Sequence, residues 1–169
     1  MRHRHLHQAQ NLGLNMILSS GYATQYRMPD VRRRAEYAAR AINKMMVETG
    51  ATSVVVHGNS GVSCGFAALM LSPHADFNIV LLRKDNDNSH GSPIEGPEGH
   101  FLERYLILDD FVATGATMNR IRDKIVMLHK QSNPFDAAPE CVGIVLYGHH
   151  DSDSFEFDDG HTVPAWGRD

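Results

Sequence analysis

Residues 105–118 read Tyr-Leu-Ile-Leu-Asp-Asp-Phe-Val-Ala-Thr-Gly-Ala-Thr-Met, an apolar run that meets two adjacent carboxylates and then a turn of small residues. The order predicts a buried strand, a loop and a helix. It delivers Asp109 and Asp110 to the carboxyl end of a strand, where open α/β sheets bind their ligands. Ionised carboxylates only accept hydrogen bonds, so the pair suits the vicinal hydroxyls of a ribose. The turn suits a phosphate. Gly115 lets backbone approach a ligand closely, Thr114 and Thr117 carry hydroxyls, and a helix opening near Thr117 presents unpaired N–H groups and a positive dipole end to an anion. Any βα junction can hold an Asp, a Gly and a Thr cap for purely structural reasons. The joint order of strand, paired carboxylates, Ala-Thr-Gly-Ala-Thr and helix is far more demanding.

On either side of this stretch the pattern alternates between periods. Val31, Ala35, Ala38, Ile42, Met45 and Met46 recur at helical spacing between Pro29-Asp30 and Gly50, which predicts an amphipathic helix. Ser53–His57 reads as a short buried strand, Gly58-Asn59-Ser60-Gly61 as a turn, Gly65–Leu71 as a helix and Asn78–Arg83 as a second strand. Residues 84–103 are polar and rich in Gly and Pro, the mark of a functional lid or a disordered segment. Met118, Ile121, Ile125 and Leu128 form the apolar stripe of a helix that ends before Asn133-Pro134, and Cys141–Tyr147 is the last clear strand. Strands alternating with helices predict an α/β domain whose mostly parallel sheet carries helices on both faces. The expected organisation is one domain over 1–169: an N-terminal arm at 1–29 that could supply a hood, a core at 30–147, and an acidic tail at 148–169 with no assigned element.

A chain of 169 residues, 42% apolar, can fill one core and is short for two domains. A net charge of -4 argues against nucleic-acid binding through a general basic field. The arm holding Arg2, Arg4, His3, His5 and His7 reads as a solvated terminus rather than a nucleic-acid or metal site. No run approaches the roughly 18 apolar residues of a membrane span, and no signal-peptide order opens the chain, so a cytoplasmic protein is expected. Cys64 and Cys141 lie in apolar runs and read as buried thiols.

At 106–117 the chain resembles the type I phosphoribosyltransferases, whose signature is a hydrophobic strand, Asp-Asp or Glu-Asp, three residues, then Thr-Gly-x-Thr. The resemblance implies that Asp109 and Asp110 address the ribose 2- and 3-hydroxyls of 5-phosphoribosyl 1-diphosphate (PRPP), while Ala113, Thr114, Gly115, Ala116 and Thr117 wrap its 5-phosphate. It implies a substrate-borne Mg²⁺ that Asp109 and Asp110 meet indirectly, through substrate or water. A homodimer, a flexible loop and a hood over the base also follow, with Tyr26 and Trp166 as stacking candidates.

Two further segments extend the expectation. The glycine loop after the first strand, including Asn59, Ser60 and Gly61, could cradle a diphosphate or be an ordinary turn; in the family it often holds a cis peptide, here sought within His57–Ser60. Arg83 and Lys84, followed by Ser89-His90-Gly91, resemble the Arg-Lys and His-Gly segments of orotate phosphoribosyltransferases, although Asn88 stands where that family usually has a lysine. Arg83 could neutralise a diphosphate, and Lys84 and His90 could assist its departure, or the Arg-Lys pair could be solvated surface. The resemblance implies transfer of phosphoribose to a nucleobase nitrogen, with orotate ahead of a purine or uracil. The rival is a non-catalytic regulator of the same fold that binds a nucleotide or the sugar diphosphate.

Overall fold

The structure, a computed structural model, describes residues 28–72, 77–84, 92–98 and 102–168. Five parallel strands make its centre: β1 (Ser53–His57), β2 (Asn78–Leu82), β4 (Arg104–Asp109), β5 (Glu140–His149) and β7 (Thr162–Arg168). Two short antiparallel strands, β3 (Ile94–Glu95) and β6 (Ser154–Glu156), close the edges, giving the order β3-β2-β1-β4-β5-β7-β6. Three helices accompany the sheet: α1 (Met28–Thr49), α2 (Gly58–Leu71) and α3 (Ala116–Ser132). Residues from Arg34 onward form one compact α/β unit, and residues 28–33 supply the opening turns of α1.

The apolar runs are continuous because the sheet is covered on both faces. Successive strand residues point to opposite sides, so Val54 and Val56 join Leu106 and Leu108 beneath Ile42 and Met45 of α1 and Ala68 of α2. Val55 and Ile107 join the other cluster with Met118, Ile121 and Ile125 of α3. The predicted stripe of α1 is buried at Ala35, Ala38, Ile42 and Met45, and that of α3 at Met118, Ile121 and Ile125. Cys64 and Cys141 are buried and unpaired with each other, their thiols pushed up to about 12 by burial.

Four expectations are corrected. Gly58–Gly61 is not a turn before a later helix, because α2 begins at Gly58. A Cβ added at Gly61 would lie 2.9 Å from the Leu108 carbonyl oxygen, and one at Gly65 2.9 Å from Val56 Cγ1. These glycines bring the helix backbone against the sheet, and that packing overrides their low helix propensity. No cis peptide occurs among the described residues, including His57–Ser60. The tail left without an element carries two: β6 and β7 extend the sheet and bury Phe157, Val163 and Ala165. Within the 84–103 stretch, β3 pairs with Leu81 and Leu82 of β2, so part of that stretch belongs to the sheet.

Candidate functional site

The strand order fixes where a ligand can enter. The chain passes from β1 outward to β2 on one side and from β4 outward to β5 on the other, so the winding reverses between β1 and β4. A crevice opens at such a switch point, beyond the carboxyl ends of the strands. Val56 lies opposite Leu108 in register, which brings His57 and the start of α2 beside Asp109 and the loop into α3.

Asp109 is 7% exposed at the end of β4, and Asp110 is half-buried just beyond it. The Asp110 N–H donates to Asp109 Oδ1 at 2.9 Å, and the Phe111 N–H to Asp110 Oδ1 at 3.0 Å. These bonds orient the two carboxylates from within the loop. The Gly148 N–H of β5 donates to the Asp110 carbonyl at 2.7 Å, tying the loop to the neighbouring strand. Ala113 and Thr114 are exposed, and the Ala116 N–H reaches Thr114 Oγ1 at 3.4 Å. Gly115 takes φ 76°, a left-handed conformation suited to glycine, and α3 begins at the next residue. Thr117 lies in the first turn of α3. The helix dipole and unpaired N–H groups thus face the loop that carries the carboxylates.

The other wall holds the second group of expected residues. Asn59 is exposed in the first turn of α2 and Gly61 is buried against β4; Ser60 starts the same helix, and its side chain lies outside the described residues. Lys84 is exposed and folds over Gly58, its Cε 3.4 Å and Nζ 3.8 Å from where a Cβ would stand. Arg83 departs from expectation. Its guanidinium pairs with Glu95 of β3, with Nε 2.9 Å and Nη2 2.8 Å from Oε1, and its side chain is 11% exposed. That pair links the end of β2 to the sheet edge. His90 and Tyr26 lie outside the described residues. Trp166 packs partly buried against the α1 side of the core with Lys44 Nζ 3.8 Å from its ring centre, so its face meets a lysine rather than an open base site.

Sequence reasoning missed His57 as a chemical group. Its Nδ1–H donates to the Leu82 carbonyl at 2.9 Å, which leaves Nε2 the acceptor in the neutral ring. Burial lowers its pKa; the Leu82 bond opposes this, while the charges of Lys84, Lys124 and Arg120 add to the lowering. Lys124 Nζ donates to the Arg83 carbonyl at 2.7 Å, so α3 contributes a cation at the end of β2. No motif announces these residues; only their convergence at strand ends identifies them. Among the described residues no group of three or more His, Cys, Asp or Glu could hold a metal ion, and no helix is long and apolar enough to cross a membrane.

No family model matches the chain, and no curated protein matches it in sequence. Its fold is nevertheless found among solved structures. The chain is similar to the orotate phosphoribosyltransferase of Francisella tularensis, with TM-score 0.57 and 15% identity over 84% of this chain and 67% of that one. It is also similar to the UMP synthase of Leishmania donovani, with TM-score 0.51 and 20% identity over 77% of this chain; it spans 24% of that protein. The architecture expected from residues 105–118, a single α/β domain of the type I phosphoribosyltransferase fold, is the one adopted.

Proposed function

We propose that the chain is a phosphoribosyltransferase that displaces diphosphate from C1 of PRPP with a nucleobase nitrogen, with orotate ahead of a purine or uracil. The observation that carries this reading is the meeting, at the switch point, of the Asp109-Asp110 pair with the Ala113–Thr117 turn and the start of α3. On this reading Asp109 and Asp110 accept hydrogen bonds from the ribose 2- and 3-hydroxyls. The 5-phosphate rests on the Ala113–Thr117 backbone and the Thr114 and Thr117 hydroxyls. The diphosphate points across the crevice to the first turn of α2 and to Lys84. Lys124 and Arg120 add positive potential there, and Arg83 acts at most at a distance, since Glu95 holds it.

The donor set fits a magnesium ion brought in by the substrate. It consists of two hard carboxylates, each with one oxygen already bound to its own loop backbone, which is too little for a protein cage and enough to meet a hydrated ion. When bound, the ion would neutralise charge on the departing diphosphate. The chain's own part is positioning and electrostatics: as the C1–O bond breaks the ribose gains cationic character, and ribose contacts hold C1 against the incoming nitrogen. No covalent intermediate is needed. On the family resemblance, His90 would assist the departing diphosphate. We take the working form to be a cytoplasmic homodimer, on the family resemblance alone.

One observation favours the second reading, a non-catalytic regulator that binds PRPP or a nucleotide: Arg83 is paired with Glu95, which offsets its charge on the leaving-group side. A single assay separates the two. The protein is incubated with magnesium, PRPP and single bases, and diphosphate and nucleotide are followed. Base-dependent release supports transfer, and binding without release supports the regulator. The double change Asp109→Asn with Asp110→Asn should weaken PRPP binding by at least about tenfold, the effect of removing charge-assisted bonds. Unchanged affinity by calorimetry would remove the site assignment.

A further inference from the structure

The β6–β7 hairpin of the tail reaches the Ala113–Thr117 turn proposed to cradle the 5-phosphate. Phe155 of β6 presses on Gly115: a Cβ there would stand 3.0 Å from Phe155 Cζ and 3.1 Å from Cε2. Gly115 therefore lacks a side chain for two reasons, its left-handed φ and the ring lying against it. Asn119, one turn into α3, works from the other side. Its Nδ2 donates to the Gly115 carbonyl at 3.3 Å, and its Oδ1 accepts the Asp158 N–H of the β6–β7 turn at 3.0 Å.

The hairpin that makes these contacts is itself braced. The Gly160 N–H closes its turn on the Phe157 carbonyl at 2.8 Å, and the Phe157 N–H donates to the His161 carbonyl at 2.9 Å. Arg122 of α3 pairs with Asp159 at 2.6 Å and lies over the Phe157 ring, 4.7 Å from its centre. Phe157 is 2% exposed and meets Phe155 edge to face at 5.0 Å. A ring supported in this way has little room to yield, so it holds the loop rather than following it.

We propose that Phe155 and Asn119 are positioning residues for the sugar-phosphate turn, through which the β6–β7 hairpin fixes the conformation of Gly115. The proposal rests on the PRPP reading of that turn and adds to it the element that sets its geometry. A displacement of about 1 Å in a positioned group can cost up to about a hundredfold in function.

The test uses Phe155→Tyr in the full chain. The new hydroxyl grows from Cζ, the atom nearest to where a Gly115 Cβ would stand, while the packing of the ring on Phe157 is retained. A merely structural role for Phe155 lowers the melting temperature and leaves PRPP affinity at the wild-type value. The positioning role predicts PRPP affinity lowered by about tenfold or more, with KM for PRPP raised more than kcat falls, a loss that a control of comparable melting temperature does not show. Asn119→Ala, which cuts both bonds and adds no bulk, should shift affinity in the same direction. Ile42→Val, a cavity beneath α1 in the core cluster on the other face of the sheet, should lower the melting temperature and leave PRPP affinity unchanged. Wild-type affinity in both folded variants, Phe155→Tyr and Asn119→Ala, overturns the positioning role while leaving the functional reading intact. Failure of the wild-type protein to bind PRPP overturns the functional reading and the positioning role with it.

Discussion

Gly148→Ala gives a sharp test of how the Asp109-Asp110 loop is held. Gly148 donates its N–H to the Asp110 carbonyl, and a Cβ at Gly148 would lie 2.4 Å from that oxygen, 3.3 Å from its carbon and 3.7 Å from Phe111 Cβ. Ordinary nonbonded contacts begin near about 3.5 Å, so the strand or the loop must give by about 1 Å. Neither moves alone, since β5 is paired with both β4 and β7, and the loop continues directly from β4. Overpacking of this kind costs about 1–3 kcal/mol and a lost hydrogen bond about 1 kcal/mol more. The expected destabilisation is therefore about 2–4 kcal/mol in urea denaturation. The same shift carries the Asp110 carboxylate off its position, and PRPP affinity should fall about ten- to hundredfold. Gly160→Ala is the control: φ is 83° there and nothing lies within 4 Å, so it should show only the left-handed penalty of about 1–2 kcal/mol and no loss of affinity. A Gly148→Ala protein with wild-type stability and wild-type affinity would refute the account of the loop.

Two further outcomes follow from buried polar groups. His57 has its pKa lowered from 6.5 in the fold, so the unfolded chain takes up the proton first; its contribution is fully present above about pH 6.5 and is lost as pH falls through the folded value. Stability measured from pH 7.5 to 5 should fall with acidity, and His57→Gln should flatten that slope; identical slopes would show that His57 does not titrate this way. The Tyr105 hydroxyl is buried without a hydrogen-bond partner among the described residues, and burial pushes its pKa upward. Because an unmet hydroxyl costs about 1–3 kcal/mol, Tyr105→Phe should be neutral or stabilising by up to that amount, and a clear loss of stability in denaturant titration would reveal an unrecognised partner.

The elements legible in the sequence were those whose patterning agrees with their environment. Strands β1, β4 and β5 are continuous apolar runs because both faces of the sheet are covered, and α3 carries a regular stripe that ends at an Asn-Pro pair. The start of α2 reads as a turn in the sequence because Gly58, Asn59, Ser60 and Gly61 are poor helix formers. What outweighs propensity there is close approach to β1 and β4, a tertiary fact with no local signal. Strand β7 was hidden by Pro164, which lacks a ladder donor, and by the acidic residues of the neighbouring turn. Its alternation of Val163 and Ala165 inward is visible only once the strand is known. Arg83 shows the limit for the site: the residue that holds it, Glu95, is 12 positions further on and belongs to a two-residue strand that no periodicity can announce.

The crevice also explains how an acidic protein could take a polyanionic donor. The net charge of -4 supplies no attractive field, so any attraction must be local and act within about a Debye length, roughly 8–10 Å. Within the switch point the charges are segregated. Asp109 and Asp110 stand at the end of β4, while Lys84, Lys124 and Arg120 are near enough to His57, at the end of β1, to lower its pKa. Two helix N-termini flank these groups, one on each side. On the proposed reading this asymmetry admits one orientation of the donor: hydroxyls toward the carboxylates, 5-phosphate on α3, diphosphate toward the cations. The reverse orientation would set the diphosphate against two carboxylates and leave the cations with a sugar. The cations at the end of β1 thus add to the motif a direction for the donor, and they leave the base to contacts outside this crevice.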